Sequence, residues 1–231
     1  LDTSHFYEDD AKTAEKEVGQ AFSVRKENVI NSVLATLQDS KSAAYKDQSK
    51  EMQAYLNYIV SDFLTNQQGI LMSDSIDTND STYKAWTDDE SISAYKYLTY
   101  AISQNWVDTS QLKDYVSSKG TYSDSNETYQ ALIAYLKEEI SGDNEFDKLI
   151  YRYMIKSGEI SGKQVCMMLY EQGILTKDDE QYNNLSSGKT DAYSFMISKI
   201  QSLEITPGQL GLEPCTGSFV MTDPTNGEVL A

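Results

Sequence analysis

KDQSKEMQAYLNYIVSDFLTN, residues 46–66, decides the fold. Met52, Tyr55, Leu56, Ile59, Val60, Phe63 and Leu64 recur three and four residues apart, the spacing that gathers side chains on one face of a helix. An apolar stripe this broad needs other elements to cover it, because an isolated helix of such length is marginal in water. Gly69 follows, where a left-handed C-terminal cap costs a glycine little. The spacing predicts a helix over 46–66 packed among further helices.

The same period continues in both directions. Asp9 and Asp10 open a first predicted helix that reaches Phe22, and Val29, Ile30, Val33, Leu34 and Leu37 mark a second. From Ser73 to Ser81 the chain turns to Ser, Asp, Asn and Thr, whose side chains bond nearby backbone in competition with a helix. That stretch predicts a loop and an internal boundary near 73–82. A fourth helix follows Trp86, with Ile92, Tyr95, Leu98, Ala101 and Ile102 on one face and Trp106 at its exit, and a shorter one follows Asp108. Ser125 or Asn126 caps a helix that stops before Gly142, and Asn144 starts another that stops before Gly158. Their short link predicts an antiparallel pair. Ser161 opens a helix that runs to Gly173, Asp191 begins the last one, and Pro207 closes the series. Gln-Gly-Ile-Leu occurs at Gln68 and at Gln172, a shared capping device and not a repeat of fixed period.

The C-terminal stretch differs in kind. Phe219, Val220 and Met221 lead into Asp223-Pro-Thr-Asn-Gly, and Val229 and Leu230 lead out, which predicts a β-hairpin over 218–231. Two strands alone are marginal, so the natural place of this hairpin is the edge of a larger sheet. The expected fold is mainly α: a multi-helix antiparallel bundle-like domain over 1–212, with a C-terminal β-hairpin within 213–231. The exposed edges of that hairpin make a dimer formed through it an expectation.

Charge and hydropathy exclude several function classes. Lys and Arg total 19 against 36 Asp and Glu, a net charge of −17 that repels phosphate backbones and argues against nucleic acid as a partner. The acidic residues are spread from Glu8 to Glu228, the distribution of a solubilising surface. No apolar run is long enough to span a bilayer and the N-terminus lacks a signal-peptide pattern, so direct membrane insertion by this chain is not expected. The chain starts on Leu1 and stops at Ala231 inside an apolar run, which reads as a fragment of a longer protein.

Few residues carry recognisable chemistry. The one imidazole, His5, lies beside the N-terminus and reads as incidental. There is no nucleophile elbow, glycine-rich phosphate loop, paired-histidine zinc motif or calcium loop, so neither metal nor cofactor is expected. Asp74, Asp77, Asn79 and Asp80 read as a solvated loop, with a weak cation site as the minority reading. Ser23 with Lys26 and Ser186 with Lys189 match Ser-x-x-Lys, in which a lysine one turn on helps take the serine proton. Ser103-Gln104-Asn105 matches the companion Ser-x-Asn, but Lys-Thr-Gly is missing and the trio is incomplete. The tyrosines with Trp86 and Trp106 suggest sugar stacking, yet their helical spacing favours the core. Cys166 and Cys215 fit no metal spacing and are either one disulfide or two buried thiols.

EPCTGSFVMTDPTNGEVLA, residues 213–231, resembles the opening hairpin of the transpeptidase domain of class B penicillin-binding proteins: an apolar strand, Asp-Pro, a Thr-x-Gly turn, then Glu-x-Leu-Ala. FDKLIY (146–151), ISGKQVC (160–166) and LEITPGQL (203–210) resemble the long helical region before that hairpin in large members from Clostridia-like Gram-positive bacteria. The resemblance implies a parent protein that cross-links peptidoglycan through a serine acyl-enzyme trapped by β-lactams, its nucleophile lying beyond Ala231. None of the family's catalytic residues falls on this chain. What remains would be a non-catalytic pedestal or linker on the extracytoplasmic face of the cell membrane, whose partners are cell-wall synthesis proteins or peptidoglycan, reached through the parent. That compartment would permit a Cys166–Cys215 bridge. The competing readings are an exported helical module that binds glycan or peptide, and a serine hydrolase using Ser186 and Lys189.

Overall fold

A computed structural model of the chain describes residues 13–116, 124–176 and 180–210, and over these it is mainly helical. The expected hairpin, and with it any dimer formed through it, lies outside the described residues. The chain divides into two compact units: Gly19–Ser157, and a smaller one made of Leu1–Val18 with Gly158–Ala231. Residues 73–82 fall inside the larger unit.

Helix α1 spans Thr13–Gln38, one element where the sequence predicts two. The polar residues between Phe22 and Val29 include Arg, Lys and Glu, all good helix formers, and so do not interrupt it. Val29, Val33, Leu34 and Leu37 form its buried stripe.

Helix α2, Lys50–Asn57, starts later than predicted because Ser49 supplies the cap, its hydroxyl accepting the Met52 N–H at 3.1 Å. The chain continues directly into a π-helix, Tyr58–Gln67, in which hydrogen bonds reach back five residues, as from Gln68 N–H to the Phe63 carbonyl at 2.9 Å. The wider turns bring Tyr58, Ile59, Val60, Phe63 and Leu64 all into the core. Period-counting at 3.6 residues has no means of foreseeing that change.

Helix α3, Ser81–Thr87, contains Trp86 and is capped by Asp80, so helix begins earlier than the sequence suggests. Helix α4, Ala94–Ser103, is capped by Ser93, and Asp108 caps a 3-10 turn at Thr109–Tyr115. Helix α5, Ser125–Glu139, opens with a capping box between Asp124 and Glu127, one residue before the predicted cap. Helix α6 is Asn144–Ser157. Helix α5 packs on α4 and on the Thr109–Tyr115 turn, α3 packs on α4, and α6 takes α2 as its main partner.

The smaller unit holds α7 (Gly162–Glu171), α8 (Glu180–Ser186) and α9 (Ala192–Gln201). Helix α9 packs on both others over Cys166, Leu169, Tyr170, Leu185 and Phe195. Helix α8 is absent from the sequence reading because Leu185 is its one fully buried residue and the segment around it is polar. At Gly162 a Cβ would lie 3.2 Å from both Ala192 Cβ and Met196 Cε, so glycine lets α7 and α9 meet closely.

One connector recurs. Glu90, Asn105, Gly158, Gly188 and Leu203 have positive φ, and each stands three residues before a capping residue: Ser93, Asp108, Ser161, Asp191 and Thr206. The left-handed residue stands one to three positions beyond the preceding helix, and the capping side chain three residues on starts the next element. Gly69 and Gly173, the glycines of the two Gln-Gly-Ile-Leu segments, adopt the same left-handed conformation. In the larger unit two connectors pair: Leu71 and Val107 form an antiparallel bridge, with Met72 N–H donating to the Trp106 carbonyl and Asp108 N–H to that of Ile70.

Candidate functional site

The charged residues that face inward in the larger unit meet where α1 approaches α2 and α6. Arg25 Nη2 lies 2.6 Å from Glu51 Oε1, and the Tyr55 hydroxyl donates to the same oxygen at 2.6 Å. One residue along, Lys26 Nζ lies 2.7 Å from Asp147 Oδ1. Phe22 stacks on Tyr151 with ring centroids 4.1 Å apart, and Tyr55 packs against Phe146. Both ion pairs are about a quarter exposed, so they fix how these helices meet more than they add stability.

Beside this network is a cleft of about 170 Å³. Arg25, Asn28 and Ser32 of α1 line one wall, Ser49, Glu51 and Tyr55 the other, with Val29 and Met52 supplying apolar surface. The Tyr55 phenol is pushed well above its usual range, first by burial and then by its bond to Glu51, so it stays a neutral donor at physiological pH. The cleft therefore offers hydrogen-bond donors and acceptors around a phenol that keeps its proton. A sequence signal for it exists in retrospect: Arg25 and Lys26 fall between Phe22 and Val29 on the side of α1 that is otherwise apolar.

A second polar contact serves architecture. The Tyr58 hydroxyl donates to Asp143 Oδ1 and accepts from Gln67 Nε2 at 2.9 Å, while Asp143 also accepts the Phe146 N–H at 2.6 Å at the start of α6. Burial foremost, then the Asp143 bond, pushes the Tyr58 phenol upward.

The residues singled out in the sequence are dispersed. Ser23 donates its hydroxyl to the Gly19 carbonyl, while Lys26 is committed to Asp147. Ser186 and Lys189 are both exposed at the end of α8 and the turn after it, and Ser103 bonds the Tyr100 carbonyl. Asp80 caps α3 and accepts the hydroxyl of Tyr100 from α4 at 2.8 Å, and Asp77 accepts the Asn79 N–H. Among the described residues no group of three His, Cys, Asp or Glu side chains could hold a metal ion. Trp86 stacks on Tyr97 and Trp106 meets Tyr100 edge-on, both indoles being buried. Cys166 is a buried free thiol, pushed up to about 12 by burial; Cys215 and His5 lie outside the described residues. No described helix is long and apolar enough to cross a membrane. No family model, curated protein or solved structure matches the chain.

Proposed function

We propose that the chain is a non-catalytic helical pedestal or linker of a class B penicillin-binding protein. Its role is to position a transpeptidase domain that begins at 213–231 and to offer contact surface to cell-wall synthesis partners on the outer side of the membrane. The observation that carries this reading is the order Phe219-Val-Met, Asp223-Pro, Thr225-Asn-Gly, Glu228-Val-Leu-Ala, which resembles the first hairpin of that domain.

The test compares two proteins with a fluorescent penicillin. The reading expects residues 1–231 to remain unlabelled and the full-length native protein to be labelled covalently. A label on residues 1–231 that Ser186→Ala abolishes would instead establish a serine hydrolase. The cleft at Arg25, Asn28 and Glu51 favours a second reading, an exported module that binds glycan or peptide. Saturable chemical-shift changes at Asn28, Ser32 and Met52 on titration with muropeptides are its signature.

A further inference from the structure

Arg25, Asn28, Val29 and Ser32 follow one another three and four residues apart, so one face of α1 forms a wall of the cleft, opposite the first turns of α2 and their cap. The hydrogen-bonding groups of this cleft fall into two sets. Arg25 and Tyr55 both bind Glu51 Oε1, each at 2.6 Å, which leaves Glu51 Oε2 without a hydrogen bond among the described residues. Asn28 and Ser32 are exposed, and their side chains bond no described residue. Ser49 accepts the Met52 N–H, while its own hydroxyl proton goes to no described residue. The cleft thus presents an amide, two hydroxyls and one carboxylate oxygen, donors and acceptors together, beside the apolar surface of Val29 and Met52.

Charge and size choose among ligands. Arg25 and Glu51 line the cleft as a pair 2.6 Å apart, so an entering anion meets the carboxylate and an entering cation the guanidinium. Either ion has to break the pair to find a counter-charge, which leaves the other partner uncompensated. A neutral ligand meets neither obstacle. The cleft, about 170 Å³, is smaller than the roughly 300–1,000 Å³ of pockets that enclose drug-sized molecules, so one small ring suits it and a peptide of several residues exceeds it. A sugar unit is of that size and bears hydroxyls that both donate and accept, while its C–H groups suit Val29 and Met52. Tyr55, the ring in this lining, is 2% exposed, so recognition here rests on hydrogen bonds and not on stacking.

We propose that the cleft between α1 and α2 binds a single neutral sugar unit, Glu51 Oε2 accepting from a sugar hydroxyl and Asn28, Ser32 and Ser49 donating to sugar oxygens. The proposal rests on the binding-module reading and narrows it from glycan or peptide to glycan. The test is an NMR titration of the ¹⁵N-labelled chain, residues 1–231, with the methyl glycosides of glucose, galactose, mannose and N-acetylglucosamine. The 2-amino and uronic-acid forms of the sugar that binds follow, and then the sugar-free peptide of a muropeptide. At least one neutral glycoside is expected to give saturable shifts at Asn28, Ser32 and Met52, and its charged forms to bind more weakly. Asn28→Ala and Ser32→Ala replace exposed side chains that bond no described residue, so the fold is retained, and each is expected to weaken binding about fivefold, the worth of one ordinary hydrogen bond. A charged form that binds as well as its neutral parent would overturn the proposal, and so would affinity unchanged in both variants. Saturation by the peptide with none by the glycosides would overturn the sugar assignment and leave the binding module standing; no saturable shift with any ligand would remove both.

Discussion

The Glu171 carboxylate accepts the peptide N–H of Glu15 at 2.7 Å across 156 residues of sequence. The first N–H groups of a helix have no partner within the helix, and those of Ala14 and Glu15 find one in α7. Removing that acceptor leaves two partly buried N–H groups without it. Glu171→Ala is therefore expected to destabilise the chain by about 2 kcal/mol, with Glu171→Gln recovering part of the loss. Urea unfolding followed by circular dichroism measures both, and an unchanged midpoint for Glu171→Ala would contradict the capping role.

Gly162 allows α7 and α9 to touch. The Met196 methyl can move aside, but Ala192 Cβ is fixed to the backbone, so a side chain at 162 has to push the helices apart. Gly162→Ala is expected to cost about 1 kcal/mol or more through overpacking. Hydrogen exchange should locate the loss in α7 and α9 and leave α4 and α5 protected as before; equal weakening of both units would argue against a local clash.

Asp191 caps α9 by accepting the Ser194 N–H at 3.0 Å, and that bond, followed by the Ser194 hydroxyl, lowers its pKa. A lowered folded-state pKa means that the contribution is fully present above the unfolded-state value and is lost as pH falls through the folded one. The smaller unit is accordingly expected to loosen below about pH 4, the ordinary aspartate range. Asp191→Asn keeps a capping oxygen and should flatten that acid limb. A limb of the same steepness in the variant, read from the α9 amide signals, would assign the transition to other carboxylates.

Cys166 is buried, and burial pushes its thiol up to about 12, so little thiolate exists at neutral pH. Iodoacetamide at pH 8 is expected to leave Cys166 unmodified in the folded chain and to alkylate it once the chain is unfolded in urea. Peptide mapping by mass spectrometry distinguishes it from Cys215, and rapid native alkylation of Cys166 would show that the smaller unit opens readily.

The helical class was legible because residues 46–66 and 191–200 carry stripes that no other element would bury. Glycine and capping residues located helix ends well, as at Ser161, Asp191 and Gly158, since those signals act within a few residues. The π-helix was not legible, because Tyr58 joins Ile59 and Val60 in the core only after the turn widens. Neither was α8, held by Leu185 against residues distant in sequence, nor the left-handed Leu203, where composition gives no hint of positive φ. The Arg25–Glu51–Tyr55 cluster was missed because its partners lie 26 and 30 residues apart and meet through packing alone.

The reading of the chain as a pedestal depends most directly on what is encoded next to it, and sequencing the native coding region beyond Ala231 tests that. The account predicts a continuous frame in which Ser-x-x-Lys, Ser-x-Asn and Lys-Thr-Gly follow in that order; a stop codon shortly after Ala231 would contradict it and leave an exported helical binding module.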